Sequence, residues 1–198
     1  VNNFQSMIVA LLILILPIML VITQPDLGTS ILIALSGLVV IWLAGINIKY
    51  FIYSLVALLI SMPFAIAFLK PYQKLRILTF LNPDRDPLGA GYQIIQSKIA
   101  VGSGGLNGKG FLKGTQSYLE FLPEKHTDFI FTLFAEEHGF LGSLGLLLIY
   151  MIIIYRVLRT GAICRSYFAK LFCYGYGSAI FFYVTVNMSM VLGLLPIV

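Results

Sequence analysis

Apolar residues fall along this chain in long unbroken runs rather than in alternation with polar ones. The longest cover residues 7–23, 27–44, 51–69 and 140–158, and a fifth, 171–195, is less uniform but holds no charged residue. A helix needs about 17–25 residues to cross a hydrocarbon layer ~30 Å thick, so each run has the length of a span or nearly so. Continuous runs argue against a membrane β-barrel, whose strands alternate. Lipid offers no partner to backbone N–H and C=O groups, which leaves helices as the way across. The pattern predicts an all-α fold, a polytopic transmembrane helix bundle of about five spans. Residues 1–198 read as a single membrane domain, interrupted by one large loop at about 70–138.

The first run lacks the basic lead and the small-residue cleavage site of a secretory signal, so it reads as a span. The last residues, 194–198, are still apolar, and the chain reads as an interior piece of a larger membrane protein. Composition agrees: 59% of residues are hydrophobic and 11% charged, where soluble domains carry about 25%. Cys164 and Cys173 read as small buried hydrophobes rather than a disulfide.

Charge adds topology. Of 13 Lys and Arg residues, Lys49, Arg156, Arg159, Arg165 and Lys170 share one set of loops, which holds no acid. The remaining basic residues and all 8 acids lie on the opposite side, so the net charge of +5 comes from one face alone. The all-basic loops are cytoplasmic by the positive-inside rule. The basic balance reports orientation and does not imply nucleic acid. It places the 24–28 turn and the long 70–138 loop on the extracytoplasmic side.

Loops that long inside a compact domain are usually functional. Residues 71–80 are basic and aromatic, which suits lipid head groups, and 82–91 are dense in turn formers. Residues 92–101 read as a short amphipathic helix, with Ile94, Ile95, Ile99 and Ala100 on its apolar side and Gln93, Gln96 and Ser97 largely on the other. That apolar side suits the membrane interface. The glycine-rich run 102–110 departs from an ATP-binding phosphate loop at Ser103 and Gly110. It is either a flexible surface turn or a pocket whose backbone N–H groups and Lys109 receive a phosphate-bearing head group.

Ionisable groups concentrate in Leu122-Pro123-Glu124-Lys125-His126-Thr127-Asp128-Phe129, just ahead of the fourth run. Thr127 is the expected N-cap of a helix with Asp128 in its first turn, where the dipole favours an ionised carboxylate. Asp128 is then either a helix-start acid or a carboxylate that does chemistry. Glu124 and His126 read as solvated loop residues. On a helix, Glu136 lies about 80° round from Asp128 and roughly 12 Å along, placed to line a site, while Glu137 faces the opposite way, towards a neighbouring helix. Asp26 is either a helix cap or an inward-facing acid that pairs with a cation of the long loop. Gly139, Gly142 and Gly145 fit close helix packing. No metal-ligand spacing and no nucleophile elbow is present.

Several of these segments together resemble one family. They are Gln24-Pro-Asp-Leu-Gly-Thr29, Asn82-Pro-Asp84 with Asp86-Pro-Leu-Gly-Ala-Gly-Tyr92, Gln96-Ser-Lys-Ile-Ala-Val-Gly-Ser-Gly-Gly105, Gly108-Lys-Gly110 and the Leu122–Phe129 stretch. They are similar to the shape, elongation, division and sporulation (SEDS) proteins, and Gly114-Thr-Gln-Ser117 points to the rod-shape branch. The resemblance covers essentially the whole chain. It implies a bacterial inner-membrane protein of a ten-helix fold, of which this chain supplies helices five to nine. It also implies a glycosyltransferase that polymerises lipid II, the undecaprenyl-pyrophosphate-linked disaccharide peptide, during cell elongation. The implied partners are a class B penicillin-binding protein and other elongation-complex membrane proteins. The family's catalytic acid falls on Asp128, and the acid of its Pro-Asp-Leu-Gly motif falls on Asp26. With the other helices absent, the piece alone is expected to be inactive.

The implied chemistry has a simple physical form. A sugar hydroxyl attacks an anomeric carbon as a pyrophosphate leaves, and a carboxylate within hydrogen-bond reach accepts the proton. The leaving group needs no general acid, unlike the two-carboxylate scheme of glycoside hydrolysis. Its charge calls for cations placed in advance, with Lys98, Lys109 and Lys113 as the candidates and Asp26 and Glu136 lining the substrate site. No cofactor is required, and a divalent cation is compatible with the scheme. Two alternatives compete: a lipid II flippase and a non-catalytic scaffold for a penicillin-binding protein. Transporters keep ionisable groups near the midplane. Here the clear spans are uncharged and the acids gather outside, which favours the enzyme.

Overall fold

The computed structural model describes residues 4–24, 26–46, 49–50, 52–53, 56, 60, 74, 78–80, 82, 90–114 and 128–196. Most of the expected 51–69 span, most of the 71–80 and 82–91 segments, and Glu124, Lys125, His126 and Thr127 lie outside them. Among the described residues the regular structure is all helical, and the helices with defined bounds are α1 (Phe4–Thr23), α2 (Leu27–Leu43), α3 (Ala90–Ser103), α4 (Ile130–Ile163) and α5 (Tyr167–Val191). Two of them, α4 with 34 residues and α5 with 25, are long and apolar enough to cross a membrane. Ile13, Leu16, Ile149, Met151 and Phe172 are among many large apolar side chains left exposed. Such a surface suits contact with lipid and would be a liability in water.

The chain divides into two compact units. The first comprises Val1–Leu69 with Ile153–Tyr183 and Val198. Here α1 packs on α2, with Gly37 so close to the Leu14 side chain that a Cβ would collide with it. Glycine permits this approach between helices. Farther along the chain, Gly161 faces Cys173, where an added Cβ would come within 2.8 Å of the cysteine Cβ. Cys164 and Cys173 are free and half-buried.

The second unit comprises Lys70–Ile152 and Val184–Ile197. Its core joins Ile94 of α3, Phe129 just before α4 and Val191 at the end of α5, flanked by Val101 and Phe131. α3 buries Gly91, Ile94, Ser97 and Ala100, one row at a spacing of three. This differs from the apolar–polar division its sequence predicts. Ser97 is fully buried and Ile99 is exposed. Burial of Ser97 follows from its hydrogen bonds: its Oγ donates to Val191 O at 2.8 Å and lies 3.1 Å from Thr132 Oγ1. Val191 O is one of the carbonyls that a helix end leaves unpaired.

α5 ends in a Schellman motif. Gly193 takes φ +66°, its N–H donates to Met190 O at 2.9 Å, and Leu194 N–H donates to Ser189 O at 2.7 Å. Glycine adopts this left-handed turn without the cost of a Cβ.

Candidate active site

α4 is not continuous. Gly139 takes φ 65° and ψ −163°, which breaks the helix into a segment of 130–138 and a longer one from Phe140. The longer segment, about 36 Å at 1.5 Å per residue, is the part with the length of a span. A break exposes carbonyls on one side and N–H groups on the other, and leaving each unpaired in an apolar setting costs several kcal/mol. The glycine-rich loop fills both sets. Lys109 N–H donates to Glu136 O and Gly110 N–H to Glu137 O, each at 3.0 Å. Phe140 N–H donates to Gly105 O at 2.8 Å and Leu141 N–H to Leu106 O at 3.1 Å.

This docking explains the glycines. A Cβ on Gly104 would strike Ala135 O, and one on Gly108 would strike Glu137 O. One on Gly139 would strike the Gly108 nitrogen. The run 102–110 is therefore a plug for a broken helix, and the N–H groups of Lys109 and Gly110 serve helix carbonyls rather than an anion. Gly139 is the break itself and not a helix-packing residue. Gly142 accommodates His138 across the break, and Gly145 has open space beside it.

Side chains reinforce the plug. Lys109 Nζ donates to Glu136 Oε1 at 2.7 Å, with the glutamate side chain wholly buried and the lysine 28% exposed. Gly114 lies against the same carboxylate, where an added Cβ would come within 2.8 Å of Glu136 Oε2. The structure thus brings two of the candidate residues, Lys109 and Glu136, onto each other.

Asp128 sits at the opposite end of the 130–138 segment. The sequence places it in the first helical turn; the structure places it in the turn before α4, since Thr132 and Leu133 N–H groups both donate to Phe129 O. Phe129 is fully buried and anchors the turn. Asn187 Nδ2 of α5 donates to Asp128 O at 3.1 Å. The Asp128 side chain is half-buried, and among the described residues no hydrogen bond or ion pair reaches its carboxylate. That is the state a proton acceptor needs before substrate arrives.

The remaining candidates separate. Asp26 lies in the first unit and caps α2, its Oδ1 accepting from Thr29 N–H at 2.9 Å. Lys98 is exposed on α3 and lies over Gly193, its Nζ 2.6 Å from where a Cβ would stand. The C-terminal end of α5 favours a cation there. Lys113 is exposed in the turn that follows the plug, its N–H donating to Gly110 O at 3.0 Å. Among the described residues no group of three or more His, Cys, Asp or Glu is arranged to hold a metal. No step below is routed through one.

Sequence reasoning missed Asn187 and Thr132, and put Ser97 on the polar side of its helix. One signal was available: Asn187 and Val191 are four apart within the uncharged run 171–195, and an Asn there needs a polar partner.

Comparison with known proteins gives a consistent picture. The family model described as "Cell cycle protein", covering FtsW, RodA and SpoVE, matches residues 1–198. The chain is 50% identical over 191 residues to the peptidoglycan glycosyltransferase MrdB of Escherichia coli K12, covering 96% of this chain and 52% of that protein. It is 43% identical over 129 residues to the peptidoglycan glycosyltransferase RodA of Treponema pallidum, covering 65% of this chain and 30% of that one. Among solved structures it matches a chain of a peptidoglycan synthase complex that coordinates polymerization and crosslinking. The TM-score is 0.77 and the identity 31%, over 95% of this chain and 52% of that chain. The chain spans about half the length of the curated relatives it matches.

Proposed function

This chain belongs to the FtsW, RodA and SpoVE family of cell cycle proteins, and we propose that it forms part of a peptidoglycan glycosyltransferase of the elongation type. The reaction is polymerisation of lipid II into glycan strands. Asp128 is the general base: its carboxylate takes the proton of the acceptor sugar's 4-hydroxyl as that oxygen bonds the donor's anomeric carbon. The bond to pyrophosphate breaks, and the leaving group departs with its electron pair as an anion. The observation that carries this reading is the Asp128 turn. Its backbone is held by Asn187 and Phe129, while among the described residues nothing engages its carboxylate.

Lys98 and Lys113, both exposed, are assigned to the pyrophosphate. Lys109 and Glu136 contribute by fixing the loop that carries Lys113, and Asp26 by starting α2. The protein acts in the bacterial inner membrane, with the Asp128 turn on the extracytoplasmic face and a class B penicillin-binding protein as partner. The charge asymmetry of the loops and the likeness to the peptidoglycan synthase complex support this.

The test uses the full-length protein, purified and given labelled lipid II. Asp128→Ala is expected to melt like wild type and to form no glycan polymer. Polymer of normal yield and length from that variant would overturn the assignment.

A further inference from the structure

We infer that Asn187 is a positioning residue, which acts on the reaction by fixing the direction of the Asp128 side chain. The inference rests on the reading of Asp128 as the base.

The geometry is local to one unit. Asp128 precedes α4, so no intrahelical hydrogen bond holds its peptide group. Two contacts do so instead. Phe129, fully buried, fixes the residue that follows, and the Asn187 amide donates to Asp128 O at 3.1 Å. The carbonyl and the carboxylate of Asp128 branch from the same Cα. Holding the first therefore fixes the backbone from which the second projects and narrows the positions it can reach. Freed from the amide, the Asp128 peptide can rotate about ψ and swing the carboxylate.

Asn187 is itself well supported. Four residues on, Val191 is fully buried and its carbonyl receives the Ser97 hydroxyl, which also meets Thr132 of α4. α5 thus holds Ser97 of α3 through the Val191 carbonyl and the turn at Asp128 through Asn187. The half-buried Asn187 amide gives up part of its hydration, and this bond is what it gains in exchange.

The experiment compares Asn187→Ala, Asn187→Ser and Asn187→Asp with wild type in the full-length protein on lipid II. Turnover is counted per folded molecule. Misplacement by ~1 Å costs about a hundredfold in rate, so Asn187→Ala is expected to lower kcat by about 10- to 100-fold. KM should stay within about twofold, since the amide touches no substrate. Asn187→Asp keeps the shape but points an oxygen at the carbonyl, so its loss should exceed that of Asn187→Ala. The inference is overturned if Asn187→Ala and Asn187→Ser keep wild-type kcat per folded molecule, or if KM rises while kcat holds. Asp128→Asn is the control. Normal polymerisation by that variant removes the base assignment itself; its inactivity beside a normal Asn187→Ala removes only the positioning role.

Discussion

Two carboxylates stand eight residues apart at the two ends of one short helical segment, and the structure treats them in opposite ways. Glu136 is wholly buried, bonded to Lys109, and walled in by Gly114. Asp128 is half-buried, and among the described residues no partner reaches its carboxylate. A buried, paired acid is committed to structure, because releasing it would leave an uncompensated charge. An acid with a fixed backbone and an open carboxylate is ready for a substrate. Proximity in sequence and equal charge therefore do not predict equal roles; what each oxygen touches does.

The comparison breaks most sharply at Asp128. Asp128→Asn keeps the size and removes the proposed base, and a general base contributes about 10²–10⁴-fold to a rate. Glycan yield per folded molecule should fall by that factor with the melting temperature unchanged. At the other end, Lys109→Met removes the cation bonded to the buried Glu136 and is expected to destabilise by about 3 kcal/mol, the lower end of the range, as Lys109 is partly exposed. The double variant Lys109→Met/Glu136→Leu should recover part of that loss, because it removes the buried charge together with its cation. Thermal melts of the two variants side by side check this.

Gly108→Ala probes the plug itself. Gly108 has φ +78° and no room for a Cβ against Glu137 O, so the loop must shift or undock. Strain at a position of this kind costs on the order of 1–3 kcal/mol. Faster amide exchange at Lys109 and Gly110 would report the undocking. The smallest effect belongs to Asp26. Asp26→Ala removes the α2 cap at a cost of about 1 kcal/mol, and Asp26→Asn, which still caps, should cost a few tenths at most. A large loss of turnover in Asp26→Asn would give that acid a chemical role beyond the cap.

Much of the fold was legible because lipid imposes a simple rule on sequence. The runs at 7–23, 27–44, 140–158 and 171–195 fall largely within α1, α2, α4 and α5, while 51–69 lies mostly outside the described residues. The break at Gly139 was not legible. Its cause is a loop some thirty residues away whose glycines match it backbone to backbone, and the Gly139, Gly142, Gly145 spacing looks like helix packing. Ser97 was misplaced for a related reason. Its partner, Val191 O, is 94 positions away, so local polarity put it on the wrong face. The candidate acids stood out by charge in an apolar chain, while Lys98 and Lys113 entered only with the chemistry that the family resemblance implies. The division of the acids into paired and open was not legible, since Lys109 meets Glu136 only through the docked loop. Asn187 carries no charge and so drew no notice.

The most direct test measures turnover per folded molecule for Asp128→Asn and Glu136→Gln in the full-length protein on lipid II. Asp128→Asn should lose about 10²–10⁴-fold with its melting temperature intact. Glu136→Gln should melt at a lower temperature while each folded molecule still turns over within a few-fold of wild type. A stable, inactive Glu136→Gln or a fully active Asp128→Asn would contradict the division of the two acids into frame and base.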